Sequence, residues 1–315
     1  MADKIATREA YGNALAEFGS DSRIVVFDAD LSKSTKTDNF RKKYPERFFN
    51  MGIAEGNMMA TAAGMASCGK VVFASTFAMF AAGRAFEQIR NSICYPKLNV
   101  KIGATHAGLS VGEDGASHQA IEDIAIMRAI PNMTVISPAD AVETKYAVKA
   151  AIEHEGPVYL RLGRLNVPVI YDESSYKFEI GKGIVLSEGN DAAIIATGLM
   201  VSAALEAKEL LQQEGISARV IDIHTIKPID ADIIVKAARE TGAIITAEEH
   251  NIIGGLGSAV AEVLSENYPV PLVRVGVQDK FGKSGKPDIL LQMYGLTAAD
   301  IVKSTKAALK KKSDR

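Results

Sequence analysis

Residues 99–119, NVKIGATHAGLSVGEDGASHQ, join a short apolar run to a long loop of small and polar residues. The first seven residues are typical of a strand buried on both faces, because apolar side chains occupy most positions without alternation. Four more such runs lie in the first half of the chain: RIVVFDAD, VVFAST, MTVISP and VYLRLG. Segments with helical spacing separate them. This α/β alternation predicts a mainly parallel sheet covered by helices on both faces.

The alternation is interrupted once along the chain. Residues 166–183, NVPVIYDESSYKFEIGKG, mix Pro, Asp, Ser and Gly without sustained periodicity, which is typical of a linker. Beyond it the pattern resumes with the runs AAIIATG, ARVIDIHTI, AIITAEE and PLVRVGV. The sequence therefore predicts two tandem α/β domains, residues 1–165 and residues 184–315, joined by a linker at 166–183.

The composition argues against several classes of protein. A net charge of −2 over 315 residues gives no general attraction to nucleic acids or anionic membranes. No run approaches the roughly 18 apolar residues of a membrane span, and the N-terminal segment lacks the apolar core of a signal peptide. We expect Cys68 and Cys94 to be small buried apolar residues in a reducing compartment. These features predict a cytoplasmic globular protein that binds neither nucleic acid nor membrane.

The loop after the quoted strand brings two histidines and two carboxylates together in the sequence. They are His106, Glu113, Asp114 and His118, separated largely by small residues. The spacing of the histidines does not match a short pair of metal ligands, so we predict no metal site here. Two interpretations stay open. The loop could form a polar substrate pocket, or His118 could cap the following helix.

A lone carboxylate occupies a second unusual position. Glu55 lies in MGIAEGNMMATAAGMA, residues 51–66, among methionine, alanine and glycine. A carboxylate in such surroundings loses water and needs a partner or a proton. It could simply be an acidic residue in the first turn of a helix running toward Gly69, where the helix dipole favours it. The residues alone do not decide between a structural and a chemical role.

Several motifs, taken in order, resemble the pyrimidine-binding half of transketolase. They are MGIAEGNMM, STFAMF, ATHAGLSVGEDGASHQ and ISPAD, and the resemblance continues through LRLGRLNVP into the terminal domain. The GEDG-x-x-HQ pattern is specific to that enzyme and its close relatives, whereas GIAE is shared more widely among thiamine-diphosphate enzymes. The resemblance implies ketol transfer between sugar phosphates, with thiamine diphosphate and Mg²⁺ or Ca²⁺ as cofactors.

The resemblance also implies roles around the cofactor. Glu55 corresponds to the acid that activates the cofactor by a hydrogen bond to its aminopyrimidine ring. Phe77 and Phe80 would lie against that ring, where offset aromatic stacking is favourable. Asp30 corresponds to a residue that faces the cofactor. The third aromatic residue of the family pattern is Gly83 here, so the pocket wall would be partly open or filled from elsewhere.

The family pattern assigns further residues to the substrate. It implies a phosphate site formed by Arg8, Ser34, His106 and Arg164. Arginine suits phosphate because its planar fork donates to two oxygens at once. Asp114 matches the residue that recognises the hydroxyl configuration of the ketose. His118, near the reacting carbonyl, and His106 are the catalytic candidates besides Glu55.

One family motif is not found in this sequence. In transketolases a GDG followed by an Asn holds the diphosphate through magnesium, and these 315 residues contain no GDG. The resemblance therefore implies a split enzyme, in which an N-terminal transketolase subunit holds most of the metal site. We expect an α2β2 heterotetramer, because the cofactor of this family lies between domains of different protomers.

Other interpretations remain for the sequence as a whole. A β subunit of a 2-oxo acid dehydrogenase decarboxylase shares the domain order and the GIAE glutamate. Deoxyxylulose-phosphate synthase is closer in sequence, and a non-catalytic module derived from such a subunit is a further alternative. The segment Gly254–Val260, GGLGSAV, partly matches a dinucleotide-binding loop, but without its full βαβ context a tight turn is favoured.

Overall fold

The computed structural model describes residues 3–314, so the predicted domain ends at residues 1 and 315 lie outside it. The strands are Lys4–Ala6 (β1), Ile24–Asp28 (β2), Phe48–Asn50 (β3), Val71–Phe77 (β4), Val100–Thr105 (β5), Thr134–Ile136 (β6), Val158–Arg161 (β7), Asn166–Pro168 (β8), Ile184–Ser187 (β9), Ala192–Ala196 (β10), Ala218–Asp222 (β11), Thr225–Lys227 (β12), Ile244–Asn251 (β13) and Leu272–Val277 (β14).

Helices separate most of these strands. The α-helices are Thr7–Phe18 (α1), Ser32–Thr35 (α2), Asp38–Lys43 (α3), Glu55–Ser67 (α4), Phe86–Gln88 (α5), Asp123–Ala129 (α6), Ala141–Glu153 (α7), Met200–Gln213 (α8), Ala231–Thr241 (α9), Leu256–Asn267 (α10), Pro287–Met293 (α11) and Ala298–Ser313 (α12). Short 3₁₀ segments occur at Pro45–Arg47 and Leu109–Asp114, and π-helical segments at Phe80–Arg84 and Ile89–Cys94.

Seven strands form the first sheet, in the order β12-β6-β7-β5-β4-β2-β3. All its pairings are parallel except that between β12 and β6. Each of the five apolar runs predicted in the first half of the chain supplies one of its strands. The inner strands β2, β4, β5 and β7 are buried along their whole length. This is expected for parallel strands covered by helices on both faces.

The second sheet has five strands in the order β14-β13-β10-β11-β9. Its core pairings are parallel, and only β9 runs antiparallel, beside β11. A separate antiparallel pair, β1 with β8, joins the start of the chain to the segment after β7. The predicted fold class, two mainly parallel sheets with helices on their faces, is confirmed.

One predicted strand is divided between the two sheets. The run ARVIDIHTI forms β11 in the second sheet and β12 at the edge of the first sheet, where Thr225 pairs with Ile136. The apolar pattern could not reveal this division, because strand pairing over about 90 residues leaves no local signal. The second half of the chain therefore completes the sheet of the first half.

Two segments with helical spacing in the sequence, residues 82–93 and 118–130, are also irregular in the structure. The segment 82–93 is not one regular helix, because two π-helical segments, Phe80–Arg84 and Ile89–Cys94, flank the short α5. Such wider turns are rare and are frequent at functional sites. Helix α6 begins only at Asp123, so residues 118–122 belong to the preceding loop rather than to a helix.

The segment predicted as a linker is ordered by a buried cluster of acidic and tyrosine side chains. Tyr171 Oη donates to Asp222 Oδ2 (2.7 Å), and Tyr176 Oη donates to Glu143 Oε1 (2.5 Å). Asp140 Oδ2 accepts the backbone N–H of Tyr171 at 2.9 Å. Burial raises the pKa of Glu143, and the nearby Asp222 raises it further. Burial also raises the pKa of Asp222, to about 7.

The cysteines and the helices test two expectations from composition. Cys94 is buried as expected, and burial raises the pKa of its thiol to about 12. The expectation for Cys68 is wrong, because this residue follows the end of α4 and is exposed to solvent. Among the helices of residues 3–314, none combines the length and the apolar composition needed to cross a membrane.

The Glu143–Asp222 pair predicts a specific pH dependence of stability. Its carboxyl groups bind protons more tightly when folded, so the stability they contribute is present near pH 4 and is lost as pH rises to about 7. We expect Glu143→Gln to match the wild type in urea unfolding near pH 4 and to be more stable above pH 7. Glu153→Gln, at the exposed end of the same helix, should show no such pH-dependent difference in stability from the wild type. Parallel stability curves for wild type and Glu143→Gln would contradict the prediction.

Candidate cofactor and substrate site

Three predicted site segments follow neighbouring strands of the first sheet. In the order β5-β4-β2, they begin after Thr105, at Phe77 and after Asp28. Because the three strands are parallel, their carboxyl ends meet at one edge of the sheet, which is where sheets of this kind bind ligands.

The loop after β2 is held by a buried carboxylate. Asp28 accepts hydrogen bonds from the backbone N–H of Leu31 (2.5 Å), the hydroxyl of Thr35 (2.7 Å) and the hydroxyl of Thr37 (2.9 Å). Burial raises the pKa of Asp28. These bonds fix the turn that carries Asp30 and Ser34.

Asp30 itself lies at the surface of this turn. Its backbone has a left-handed conformation (φ 65°), which is uncommon for a residue other than glycine. Asn50 Nδ2 donates to Asp30 Oδ1 at 2.8 Å. Asp30 and Ser34 line a surface cleft of about 250 Å³. Asp30 and Ser34 therefore share one opening. Among residues 3–314, no hydrogen bond or ion pair joins Asp30 to Glu55.

Arg8 joins the loop after β2 to the loop after β5. Its Nη1 donates to the carbonyl oxygen of Ser34 (2.9 Å) and to His106 Nε2 (3.2 Å). Arg8 is half-buried, and among the described residues its Nε finds no hydrogen-bond partner. Burial lowers the pKa of Arg8, and the nearby Arg164 lowers it further. Because Nε is itself buried, an anion from solvent would meet the other guanidinium nitrogens of this partly desolvated cation.

His106 is buried and neutral. Burial lowers the pKa of its imidazole to about 3, and Arg8, Arg164 and His118 contribute to the shift. Since arginine can only donate, His106 Nε2 must accept from Arg8, which leaves the proton on Nδ1 to be donated to Thr105 Oγ1 at 3.0 Å. His106 thus has a fixed tautomer, and its backbone has a left-handed conformation (φ 57°).

Arg164 and Asp114 form the outer part of the cluster. Arg164 Nη1 donates to the carbonyl oxygen of Val111 (2.6 Å) and lies 3.3 Å from Asp114 Oδ2. Both side chains are substantially exposed, so this ion pair contributes little to stability. Both residues are therefore available to a ligand that enters from solvent.

Four rings lie together at the ends of β4 and β5. Phe77 and Phe80 stack with their centroids 5.7 Å apart, and His106 stacks on Phe77 at 3.9 Å. His118 contacts Phe80 edge-on at 5.3 Å. The alternative role of His118 as a helix cap is wrong, because the residue before α6 is Glu122 and His118 instead lies beside the phenylalanines.

Glu55 is the first residue of α4, as the dipole argument predicts, and its side chain is 2% exposed. Arg84 Nη1 lies 3.0 Å from both carboxylate oxygens of Glu55. The Arg84 guanidinium also lies over the Phe80 ring, 4.3 Å from its centroid. Since one guanidinium reaches both groups, Glu55 and Phe80 face the same space. The surroundings of Glu55 are thus not wholly apolar, and Arg84 fills part of the wall beside Gly83.

The second domain packs against the loop after β5, residues 106–119, which is the candidate substrate loop and is called the substrate loop below. Glu249 on β13 accepts the backbone N–H of Ser110 at 2.5 Å, and burial raises the pKa of this carboxyl to about 7. Gly108 is required for this approach, because a Cβ at its position would overlap the Glu249 carboxylate. Gln119 Nε2 donates to the carbonyl oxygen of Lys283, which ties the end of the loop to the same domain.

We expect Glu249→Ala to loosen the substrate loop. The substitution leaves the buried N–H of Ser110 without an acceptor, which costs about 1–3 kcal/mol in the free energy of unfolding. Glu249→Gln keeps an acceptor oxygen and should cost less than half as much. Urea unfolding gives the free energies, and limited proteolysis within residues 107–119 reports on the loop. An equal loss of stability in both variants would contradict this role of Glu249.

The glycine-rich segment Gly254–Val260 does not offer a free anion site. Glu248 accepts the backbone N–H groups of Leu256 (2.7 Å) and Gly257 (2.8 Å) at the start of α10. A dinucleotide phosphate would need these same donors. The chain's own carboxylate occupies them, which agrees with the tight turn favoured from the sequence.

The four polar residues of the loop after β5 do not converge on one point. Glu113 and Asp114 are exposed, whereas His106 is buried. Within residues 3–314 no group of three or more His, Cys, Asp or Glu side chains is arranged to hold a metal ion.

The structure brings most of the sequence-predicted residues to one edge of the sheet. Arg8 contacts both the backbone of Ser34 and the ring of His106, His106 stacks on Phe77, and Phe77 stacks on Phe80. Two supporting residues, Arg84 and Glu249, were not predicted from the sequence. Arg84 could have been found, because it lies four residues after Phe80 and is the first cation after STFAMF. Glu249 carries no local signal, since it is 139 positions from the N–H that it binds.

Comparison with known proteins defines the family. The transketolase pyrimidine-binding domain model matches residues 3–169, and the transketolase C-terminal domain model matches residues 181–301. A Methanocaldococcus jannaschii protein named "Putative transketolase C-terminal section" is 54% identical over 307 residues, covering 96% of each chain. The 6-deoxy-6-sulfo-D-fructose transketolase subunit SqwH of a Clostridium species is 43% identical, covering 98% of this chain and 96% of its own.

Solved structures agree with these matches. A split-gene transketolase, described as an inactive beta4 tetramer, is 60% identical with a TM-score of 0.91, covering 98% of this chain and all of the other. The chain spans about half the length of longer relatives such as mouse Transketolase-like protein 2, which is 43% identical and is covered over 50% of its length. The matched models define a two-domain α/β protein with a pyrimidine-binding domain and a C-terminal domain of the transketolase type. The chain belongs to the transketolase family.

Proposed function

We propose that this chain is the C-terminal subunit of a two-chain transketolase. The complex transfers a two-carbon ketol unit from a ketose phosphate to an aldose phosphate. The observation that carries the proposal is the meeting of two groups at one sheet edge. One is a cationic group containing Arg8 and His106. The other is an aromatic group of Phe77 and Phe80, in which Arg84 links Phe80 to the buried Glu55. His106 belongs to the first group and stacks on the second, so the two are continuous.

The cationic group would hold the phosphate of the sugar. Arg8 and Arg164 supply the charge, and Ser34 lies beside Arg8. His106 acts as a neutral hydrogen-bonding group rather than as an imidazolium acid, since its pKa is lowered to about 3. Asp114 would accept from a sugar hydroxyl, and the half-buried His118 remains the candidate proton carrier near the reacting carbonyl.

The aromatic group fits an aminopyrimidine ring. Phe77 and Phe80 offer stacked rings, and Glu55 offers a buried carboxylate. The planar guanidinium of Arg84 already lies over Phe80 and donates to this carboxylate. Glu55 would hold the proton at the far nitrogen of that ring, and Asp30 would face the cofactor from the neighbouring loop. When bound, thiamine diphosphate supplies the carbon nucleophile that takes up the ketol unit.

The diphosphate and its metal ion belong to a partner in this proposal. The sequence contains no GDG, and the split-gene relative supports an enzyme made of two kinds of chain. We therefore assign Mg²⁺ or Ca²⁺ mainly to an N-terminal subunit and expect an α2β2 complex. The sulfofructose relative indicates that the anionic end of the donor varies within the family, so the phosphate is the default choice and not the only one to test.

The test is purification of the tagged chain from its own host, followed by an assay of the complex. We expect a stoichiometric partner that carries a GDG-to-Asn motif. The complex should transfer a ketol unit from a pentulose phosphate to ribose 5-phosphate in the presence of thiamine diphosphate and Mg²⁺. 6-Deoxy-6-sulfofructose is the competing donor. Recovery with lipoyl-domain proteins, or a complex without ketol transfer from either donor, would overturn the proposal.

Glu55→Gln tests the cofactor half of the site. Loss of a positioned acid typically lowers turnover by roughly 10²–10⁴-fold, and the substitution keeps the size of the side chain. We expect kcat of the reconstituted complex to fall by about this factor while circular dichroism and partner binding are unchanged. Glu46→Gln, an exposed substitution in the same domain, is the matched control. Near-normal turnover of Glu55→Gln would remove Glu55 from the mechanism.

Arg8→Met tests the phosphate half of the site. Removing charge-assisted hydrogen bonds worth about 1.5–3 kcal/mol should raise KM for the phosphorylated donor by roughly ten- to a hundredfold. The KM for a nonphosphorylated ketose should rise much less, because this substrate never contacts Arg8 through a phosphate. Arg23→Met removes an exposed arginine near the amino end of β2 and should leave KM unchanged. Equal effects of Arg8→Met on the two donors would contradict the assignment.

A further inference from the structure

Arg84 occupies the space in front of Glu55 by contacts on two sides. Its Nη1 lies 3.0 Å from both oxygens of the Glu55 carboxylate. Its guanidinium plane lies over Phe80, 4.3 Å from the ring centroid. Within residues 3–314, Arg84 is the one ion-pair partner of Glu55.

These two contacts are those that an aminopyrimidine ring would make. Such a ring is planar, stacks on an aromatic side chain and presents a nitrogen-bound proton to a carboxylate. The guanidinium is planar, stacks on Phe80 and presents an N–H to Glu55. Both groups cannot use the same face of Phe80 and the same carboxylate at once.

The pairing also explains how Glu55 tolerates burial in the free chain. A carboxylate that is 2% exposed is costly unless a partner compensates its charge. Arg84 supplies that partner from the end of the π-helical segment Phe80–Arg84, directly after Gly83. The Arg84 side chain is 54% exposed, so it can turn toward solvent without breaking the core. The incoming N–H would replace Arg84 at the carboxylate, so the buried charge is not left without a partner during the exchange.

We propose that Arg84 is a built-in competitor for the aminopyrimidine position. It pairs with Glu55 and covers Phe80 in the free subunit, and it swings out when a planar nitrogen heterocycle enters. The inference rests on the proposed function. It adds a positioning residue that sets the affinity of the pyrimidine half-site, and it leaves the diphosphate half-site to the partner.

The experiment measures binding of thiamine, which lacks the diphosphate, to the isolated full-length chain by calorimetry. We expect Arg84→Met to bind thiamine roughly five- to tenfold more tightly than wild type, because no ion pair must be broken first. Arg90→Met removes an exposed arginine in the next π-helical segment and should bind as wild type does. The affinity for the thiazole alcohol half of thiamine, which lacks the pyrimidine ring, should be the same in Arg84→Met and in the wild type.

Each outcome decides the proposal. A gain in affinity that is seen only with Arg84→Met and only with thiamine supports the role of Arg84 as a competitor. Equal or weaker binding in Arg84→Met overturns it, while measurable thiamine binding leaves the proposed function standing. Absence of thiamine binding in wild type and in Arg84→Met overturns the competitor and also counts against the cofactor assignment. If Arg84→Met does not fold, Arg84→Gln takes its place; it offers Glu55 only a neutral donor instead of an ion pair, so we expect a smaller gain in thiamine affinity in the same direction.

Discussion

The buried ion pair between Arg161 and Asp123 is the contact that holds the end of the loop after β5 between the two sheets. Arg161 Nε lies 2.9 Å from Asp123 Oδ2, and Tyr159 donates to the same carboxylate at 2.9 Å. The Arg161 guanidinium also donates to the carbonyl oxygens of Ala120 (3.2 Å) and Glu249 (2.9 Å). A buried charge is stable only with all its partners in place. Strand β7, the end of the substrate loop and strand β13 are therefore held in one arrangement.

This arrangement separates two kinds of chemistry within a short distance. On the cationic side are Arg8, which is half-buried, and Arg164, which is partly exposed. On the aromatic side are Phe77 and Phe80, and Arg84 links Phe80 to the buried carboxylate of Glu55. His106 lies between the two sides, and its neutral, fixed tautomer lets it contact a cation and an aromatic ring at once. An uncharged imidazole adds no third positive charge to the pocket.

The sequence could predict most of the first sheet and much of the site because both signals are local. Apolar runs identify buried strands, and polar residues directly after them lie at the sheet edge, as with His106. Long-range choices carried no such signal. Strand β12 joins the first sheet by pairing with residues about 90 positions away, and Glu249 approaches the substrate loop only after both domains have packed. The π-helical turn at Arg84 has helical spacing in the sequence, so its wider geometry was not visible there.

The edge strand β12 has a consequence for how the protein is made. The first sheet is built from residues 24–161, yet its outer strand β6 pairs with Thr225–Lys227. During synthesis β6 therefore presents an unpaired edge until more than 60 further residues have left the ribosome, and such edges invite pairing with other chains. A gene fragment that ends in the linker would keep that edge open permanently. The first sheet is therefore complete only when both domains are encoded in one chain, even though each domain has its own sheet.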